Sequence, residues 1–259
     1  MLAGPAFRKP RGKGGVFETI LTAGFLVEAM VAIAAGLVRG FSGFGAALIL
    51  APGFTLVMAP REAVVMTVLL NTGAAAQLLF PALRLTRWRD IGPMGAAAAL
   101  AIPFGSLLLV GLDGTVIRRA IGAVVLAFSV ATLAGWRYRG PRGQPANLLV
   151  GVIGGLLTGA AGVGGPPIIL YFLSSDRPMA ENRAGFICLF VLIQLVAVPV
   201  FLWQGLVTWE LVWRAALLLP VYLVATHVGA RLFTRTSEHL ARRLALGCLV
   251  VIGLATLIR

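Results

Sequence analysis

The chain is short of charge. Only 12% of its 259 residues are Asp, Glu, Lys or Arg, about half the share of an ordinary soluble domain. With 59% hydrophobic residues, it is too apolar to be a water-soluble globule. Cysteine is nearly absent as well. Cys188 and Cys248 both fall within apolar runs, offer no zinc spacing and do not read as a disulfide framework. They read as small core residues. No metal site or cofactor is called for. Long polar stretches are also missing, which leaves no room for a soluble domain between the apolar runs.

The exception is the basic tail, residues 1–15, MLAGPAFRKPRGKGG. A basic tail before an apolar run is the order of a secretory signal. Here the run contains Glu18 and Glu28 and leads on without an A-x-A cleavage pattern, so it reads as a retained first span.

What is present is a succession of apolar stretches, at about 16–38, 46–59, 63–83, 91–112, 118–136, 147–173, 184–203, 209–230 and 240–258, most of a length that crosses a bilayer. Net charge is +13, which in a soluble protein would raise nucleic acid as a partner. The basic residues, however, lie in small groups between spans: Arg84, Arg87 and Arg89; Arg118 and Arg119; Arg137, Arg139 and Arg142; Arg231, Arg235, Arg242 and Arg243. Lipid headgroups and the positive-inside bias account for that pattern. The partner expected is the lipid bilayer, with no nucleic acid. Trp88, Trp136, Trp203, Trp209 and Trp213 fall near span ends, as an aromatic belt requires.

The chain also repeats itself. At an offset of 119 residues, Gly36, Leu37, Gly40, Gly43, Gly45 and Ile49 meet Gly155, Leu156, Gly159, Gly162, Gly164 and Ile168. Near the ends of the halves the offset is 124: Gly105 meets Gly229, Arg118-Arg119 meet Arg242-Arg243, and Ala131-Thr132-Leu133 meet Ala255-Thr256-Leu257. The expected organisation is therefore a first unit over 16–136, a polar linker over 137–146 and a second unit over 147–259. Duplicated units with a substrate between them are common in secondary transporters. The fold class expected is an all-α polytopic membrane protein of roughly eight spanning segments, four to a unit.

Each unit opens on a glycine-dense segment, GLVRGFSGFGAALIL and GLLTGAAGVGGPPIIL. Glycine accepts backbone angles that other residues refuse, and Pro166-Pro167 cannot continue a preceding helix. The second segment is expected to be helical to about Thr158 and irregular through Gly165, with a new helix starting at the prolines. The first is expected to break around Gly40 to Gly45. A break in hydrocarbon must be buried or line a wet cavity. The start of the following helix then offers free N–H donors to an anion. Gly36-x3-Gly40 and Gly155-x3-Gly159 also fit close helix packing, whereas the denser Gly43/Gly45 and Gly162/Gly164/Gly165-Pro-Pro favour a broken-helix site.

These paired segments, the two-unit layout and the length resemble the sulfite exporter TauE/SafE family of membrane permeases, over nearly the whole chain from about residue 16. The resemblance implies transport of small sulfur-containing anions, such as sulfite or organosulfonates, across a bacterial-type inner membrane. Pro166-Pro167 match the family pattern; in the first unit Ala47-Leu48 stand in their place. The two halves are thus expected to bind unequally.

A rival reading starts from Gly40-Phe41-Ser42-Gly43, the G-x-S-G of rhomboid-type intramembrane proteases, with His227 as base. Ala161 occupies the matching place in the second unit, and ATHVGARL around His227 lacks that family's H-x-x-G spacing. Ser42 reads better as a hydroxyl donor to an anion. A membrane assembly factor is the third class.

Charges within spans each need a reason. Arg39 is the expected counter-charge of the anion. Glu28 either carries a coupling proton or pairs with an arginine, and His227 is a second coupling candidate. Asn71, Gln77 and Gln194 want partners, with Asn71 and Gln194 expected at the site. Asn182 and Arg183 read as interfacial. The expected substrate site is thus Arg39, Gly40, Ser42, Gly43, Gly45, Asn71, Gly162, Gly164, Gly165, Pro166 and Gln194, in a protein expected to be a permease and not an enzyme, with a second copy in a homodimer as a candidate partner. Full crossing of both broken segments, with cytoplasmic termini, is the favoured topology; re-entrant hairpins with inverted units are the alternative.

Overall fold

The computed structural model describes residues 23–233 except 176–177, and omits the side chains of residues 41, 42, 76, 78, 81, 179, 180, 232 and 233. Nine helices lie among the described residues: α1 (Ala23–Ser42), α2 (Ala46–Phe54), α3 (Pro60–Leu85), α4 (Trp88–Gly111), α5 (Gly114–Leu133), α6 (Gln144–Ala161), α7 (Gly165–Leu173), α8 (Met179–Trp203) and α9 (Trp209–Phe233). Six of them, α1, α4, α5, α6, α8 and α9, are long and apolar enough to cross a membrane. Among the described residues the fold is all-α, that of an integral membrane protein. The basic tail, Glu18, Arg235, Arg242, Arg243, Cys248 and the last expected span lie outside the described residues.

The breaks are shorter than the sequence suggested. α1 stays helical through Gly40 and stops at Ser42, and α6 runs to Ala161. Each chain reversal then takes three residues, Gly43 to Gly45 and Gly162 to Gly164. Gly43 and Gly162, 119 residues apart, both adopt the left-handed conformation, at φ 78° and 70°, which only glycine accepts at little cost.

The path after each break corrects the favoured topology. α2 does not continue α1; it doubles back, so that Gly53 lies against the Val31 side chain. α7 likewise returns along α6, with Ile168 against Gly154. At nine residues each, α2 and α7 rise about 14 Å, half of a bilayer core.

The two hairpins open towards opposite ends of the bundle. At one end the Arg61 guanidinium, on the first turn of α3, donates to the carbonyls of Leu109 (3.0 Å), Val110 (2.7 Å) and Leu112 (3.2 Å) that end α4. Gln204 donates to Ser106 at 2.7 Å nearby, and the α1–α2 hairpin opens here. At the other end Arg87 pairs with Glu181 at 3.1 Å, and the Tyr138 N–H donates to Ser174 Oγ at 2.7 Å. There the α6–α7 hairpin opens. Arg84, Arg87, Arg89, Arg137, Arg139 and Arg142 fall on the helix ends and linker of this second, arginine-rich end.

Close backbone packing holds the long helices together. α6 lies on α4 and α1 on α9, the two most extensive helix pairs. Along these seams a methyl at Gly40, Gly155 or Gly159 would overlap the carbonyl oxygens of Thr226, Ala98 and Ile102 respectively. In lipid, where apolar burial between helices drives little, such van der Waals fit is what joins them. Gly40 therefore belongs to a packing seam. α5 is capped by Asp113, whose carboxylate accepts from the Thr115 N–H at 2.7 Å; that bond holds its carboxyl below the usual range.

Glu28, fully buried, is ion-paired with Arg214 of α9, with a second contact from Arg214 Nε to Oε2 at 3.3 Å. This favours the pairing reading of Glu28. Removing one member of a buried pair strands the other, at about 3–5 kcal/mol, whereas replacing both with apolar residues is often neutral. Arg214→Gln, which strands the fully buried Glu28, is therefore expected to lower thermal stability in detergent strongly, and Glu28→Leu with Arg214→Leu to recover most of it; Glu28→Gln leaves Arg214 its contact to Glu210 at 3.7 Å and is expected to cost less.

Candidate functional site

The tips of the two hairpins meet at a cavity of about 70 Å³ between α3 and α8. A water needs roughly 10–15 Å³ on this measure, so there is room for several waters or one small anion. The wall is built from Arg39, both glycine tips, the first turns of α2 and α7, and Asn71, Thr158 and Gln194 as the polar side chains. Phe44, Ile187 and Phe190 supply apolar wall.

Among the described residues, Arg39 is the one charged group on that wall. It reaches the cavity because it lies one turn before the break, on the last turn of α1. Its Nη1 donates to Asn71 Oδ1 at 2.6 Å and to the Tyr222 hydroxyl at 3.2 Å, and its Cζ lies 5.9 Å from the Tyr222 ring centroid. Nη2 has only a long contact, 3.5 Å, to the Ala74 carbonyl. Nε is buried and has no hydrogen-bond partner among the described residues. No carboxylate pairs with Arg39 among those residues. The Nε–Nη2 edge is thus the side of the fork with donor capacity to spare, and a paired edge of this kind suits two oxygens of an oxyanion.

Asn71 is fixed in turn. Its Nδ2 donates to the Thr67 carbonyl at 2.9 Å, and its Oδ1 also accepts from the Tyr222 hydroxyl at 3.1 Å. Across the cavity, Gln194 Oε1 lies 3.2 Å from the Thr72 hydroxyl.

The two helix starts are unequal. α2 begins Ala46-Ala47, whose N–H groups no helical carbonyl claims, while the Leu48 N–H donates to the Gly45 carbonyl at 3.1 Å. α7 begins Gly165-Pro166-Pro167, and the prolines carry no N–H. Free backbone N–H groups at the cavity therefore lie mainly on the α2 side, where Arg39 also lies. The prolines set the direction of α7 and contribute rigidity in place of donors.

Of the residues expected at the site, Arg39, Gly43, Gly45, Asn71, Gly162, Gly164, Gly165 and Gln194 line this one cavity. Gly40 packs against α9 instead, and Pro166 is buried in α7 off the lining. Ser42 closes α1, with its side chain outside the described residues. Neither coupling candidate reaches the wall: Glu28 is paired with Arg214, and His227 is exposed on α9. Gln77 is likewise exposed. Asn182 and Arg183 depart from the interfacial reading. Asn182 is 3% exposed, and Arg183 lays its guanidinium against Gly43.

Sequence reasoning missed Tyr222, 0% exposed, and Thr158. A tyrosine in the middle of an apolar span was the available signal for the first. The offset of 119 that carries Arg39 onto Thr158 was the signal for the second.

The family model described as sulfite exporter TauE/SafE matches residues 29–256. A protein of Cupriavidus necator described as a probable sulfite/organosulfonate exporter TauE is 30% identical over 219 residues, covering 82% of this chain and 85% of the relative. No solved structure matches.

Proposed function

The chain belongs to the sulfite exporter TauE/SafE family, and on that premise we propose that it exports small sulfur-containing oxyanions, sulfite or organosulfonates, by alternating access around the cavity at the two hairpin tips. The observation that carries this reading is Arg39: a guanidinium with no carboxylate partner among the described residues, held by Asn71 and Tyr222, with one donor edge left over, at the wall of a cavity of anion size.

Three features support a site shared by two inverted units. The lining pairs residues 119 apart: Arg39 with Thr158, Gly43 with Gly162, Gly45 with Gly164, Ala46 with Gly165, Val68 with Ile187, Asn71 with Phe190, and Ala75 with Gln194. The long helix of each hairpin packs on the other half, α1 on α9 and α6 on α4. The hairpins enter from opposite ends, as inverted repeats require, with the site near the midplane. Rocking the units about this axis would expose the cavity to each side in turn.

The cation lies on one unit only, so the anion is bound off the axis, by Arg39 and the α2 start. Export of an anion from a negative interior gains about 2.3 kcal/mol per charge per 100 mV. The proposed cycle needs no coupling ion, in keeping with Glu28 and His227 lying off the lining. Neither comparison supports a protease.

The test is uptake and efflux of radiolabelled sulfite by the reconstituted protein at a set membrane potential. Flux is expected to follow the potential, to reverse with its sign, and to be competed by an organosulfonate. Absence of flux for sulfite and sulfonates alike would overturn the substrate assignment.

A further inference from the structure

A second cavity, of about 240 Å³, lies at the arginine-rich end. Its polar lining is Arg142, Asn147, Tyr171, Ser175 and Asn182, with Asp90 as the carboxylate on its wall. Arg142 and Gly143 are exposed, so it meets solvent there, while Asn147 and Asn182 close it at depth. Its polar groups hold one another in place. Tyr171 donates to Asn147 at 2.7 Å, Asn147 to the Asp90 carbonyl at 3.3 Å, and Ser175 to Asn182 at 2.7 Å. The Arg142 guanidinium lies over the Tyr171 ring, 5.6 Å from its centroid, and has no ion-pair partner among the described residues.

The two cavities lie at opposite ends of α7. Gly165 borders the central one and Tyr171 the outer one, about 9 Å apart along the helix axis. An aromatic layer separates them. Phe186, 1% exposed, stands 6.4 Å from Phe172 on the outer side, and 5.6 Å and 6.1 Å from Phe44 and Phe190 on the central side. One cation adjoins both compartments. Arg183 follows Asn182 of the outer wall, and a methyl at Gly43 of the central wall would lie only 2.6 Å from its Nε.

We propose that the outer cavity is a loading vestibule for small oxyanions. The anion collects at Arg142, passes along Arg183, and reaches Arg39 when the layer around Phe186 parts. The proposal rests on the reading of the central cavity as the substrate site. An apolar layer one ring thick blocks a hydrated anion, whereas two guanidinium groups without carboxylate partners among the described residues, Arg142 and Arg39, offer it replacement donors on either side. Among the described residues, the first unit does not repeat the polar and aromatic positions of this cavity. The residues 119 before Asn147, Tyr171 and Phe186 are Glu28, already paired with Arg214, Pro52 and Thr67. The vestibule therefore belongs to one face. The positive-inside bias makes the arginine-rich face cytoplasmic, the side from which an exporter loads.

The test is chemical labelling of single cysteines in the full-length protein in liposomes, with Cys188 and Cys248 replaced by alanine. The probes are two membrane-impermeant methanethiosulfonates, the anionic ethylsulfonate and the cationic ethyltrimethylammonium. Ser175→Cys is expected to react from the arginine-rich face, with an anion-to-cation rate ratio several-fold above that of a free thiol and lowered by Arg142→Gln. Ala75→Cys on the central wall is expected to react slowly from that face, and at least tenfold faster with Phe186→Ala; Phe172→Leu serves as a milder opening if Phe186→Ala does not fold. Adding Arg183→Gln is expected to lower the anion preference at Ala75→Cys.

A rate ratio at Ser175→Cys equal to that of a free thiol would overturn the vestibule. A rate at Ala75→Cys indifferent to both aromatic substitutions would overturn the gate. Neither result depends on sulfite being the cargo, so failure of the sulfite assay alone leaves this outcome separately readable.

Discussion

Arg39→Ala is expected to leave a folded protein whose sulfite flux falls on the order of 100-fold, since a hydrogen bond to a charged group contributes about 1.5–3 kcal/mol and each 1.4 kcal/mol is tenfold. The fold is expected to survive because the partners of Arg39 are not stranded. Tyr222 still donates to Asn71 Oδ1, and Asn71 still donates to the Thr67 carbonyl. Loss of flux would then report the site and not a misfolded chain, which thermal stability in detergent checks directly. Arg39→Lys keeps the charge but loses the planar fork, so its flux is expected to lie between wild type and Arg39→Ala. Equal flux in wild type and Arg39→Ala would remove the cavity from the transport path.

The second large effect is expected at the packing glycines. A methyl at Gly159 would overlap the Ile102 carbonyl oxygen and lie 2.7 Å from the Ser106 nitrogen. Backbone cannot swing aside as a side chain can, so the α4–α6 seam must open along its length. Overpacking of a tight core costs about 1–3 kcal/mol and sometimes more, and a leucine here would hold the helices apart altogether. Gly159→Leu is expected to give no monodisperse protein, and Gly159→Ala a clear loss of thermal stability. Gly92, on α4 with nothing within 4 Å of an added methyl, is the control. There alanine is expected to be neutral or slightly stabilising, because glycine costs a helix about 1 kcal/mol relative to alanine. The opposite signs, read in one melting series, separate packing from propensity.

The same geometry warns against testing the site at Gly164. A methyl there would overlap Thr158 Oγ1 and the Gly154 carbonyl. Loss of flux on substitution would confuse a folding fault with a binding fault, and Arg39 avoids that ambiguity.

Most of the lining of the candidate cavity was legible in the residues. Glycines that recur at one offset, with an arginine one turn ahead of the first cluster, singled out eight residues that line one cavity. The misreadings have a common cause. Gly40 and Gly43 are alike as letters, but one lies in a helix seam and the other at a left-handed turn; only the neighbouring helix distinguishes them. Arg183 stands at the start of a span, where arginines usually reach for headgroups, and instead turns inward onto Gly43. Glu28 called for a partner, but its partner is 186 residues away in sequence, beyond what any local pattern carries.

By itself the sequence determined the environment and the units of construction. Scarcity of charge and apolar runs of spanning length leave only a membrane interior as solvent, and glycine and proline at fixed places decide where helices stop. Those are local constraints, set by the backbone angles and hydrogen bonds each residue allows. The tertiary structure decided the direction in which the chain leaves each break and which side chains then meet. A glycine turn permits both a continued crossing and a reversal, and the choice falls to packing. α2 returns along α1 because Gly53 admits the side chain of Val31, and α7 returns along α6 because Gly154 admits Ile168. That reversal brings both tips, Arg39 and Asn71 to one cavity.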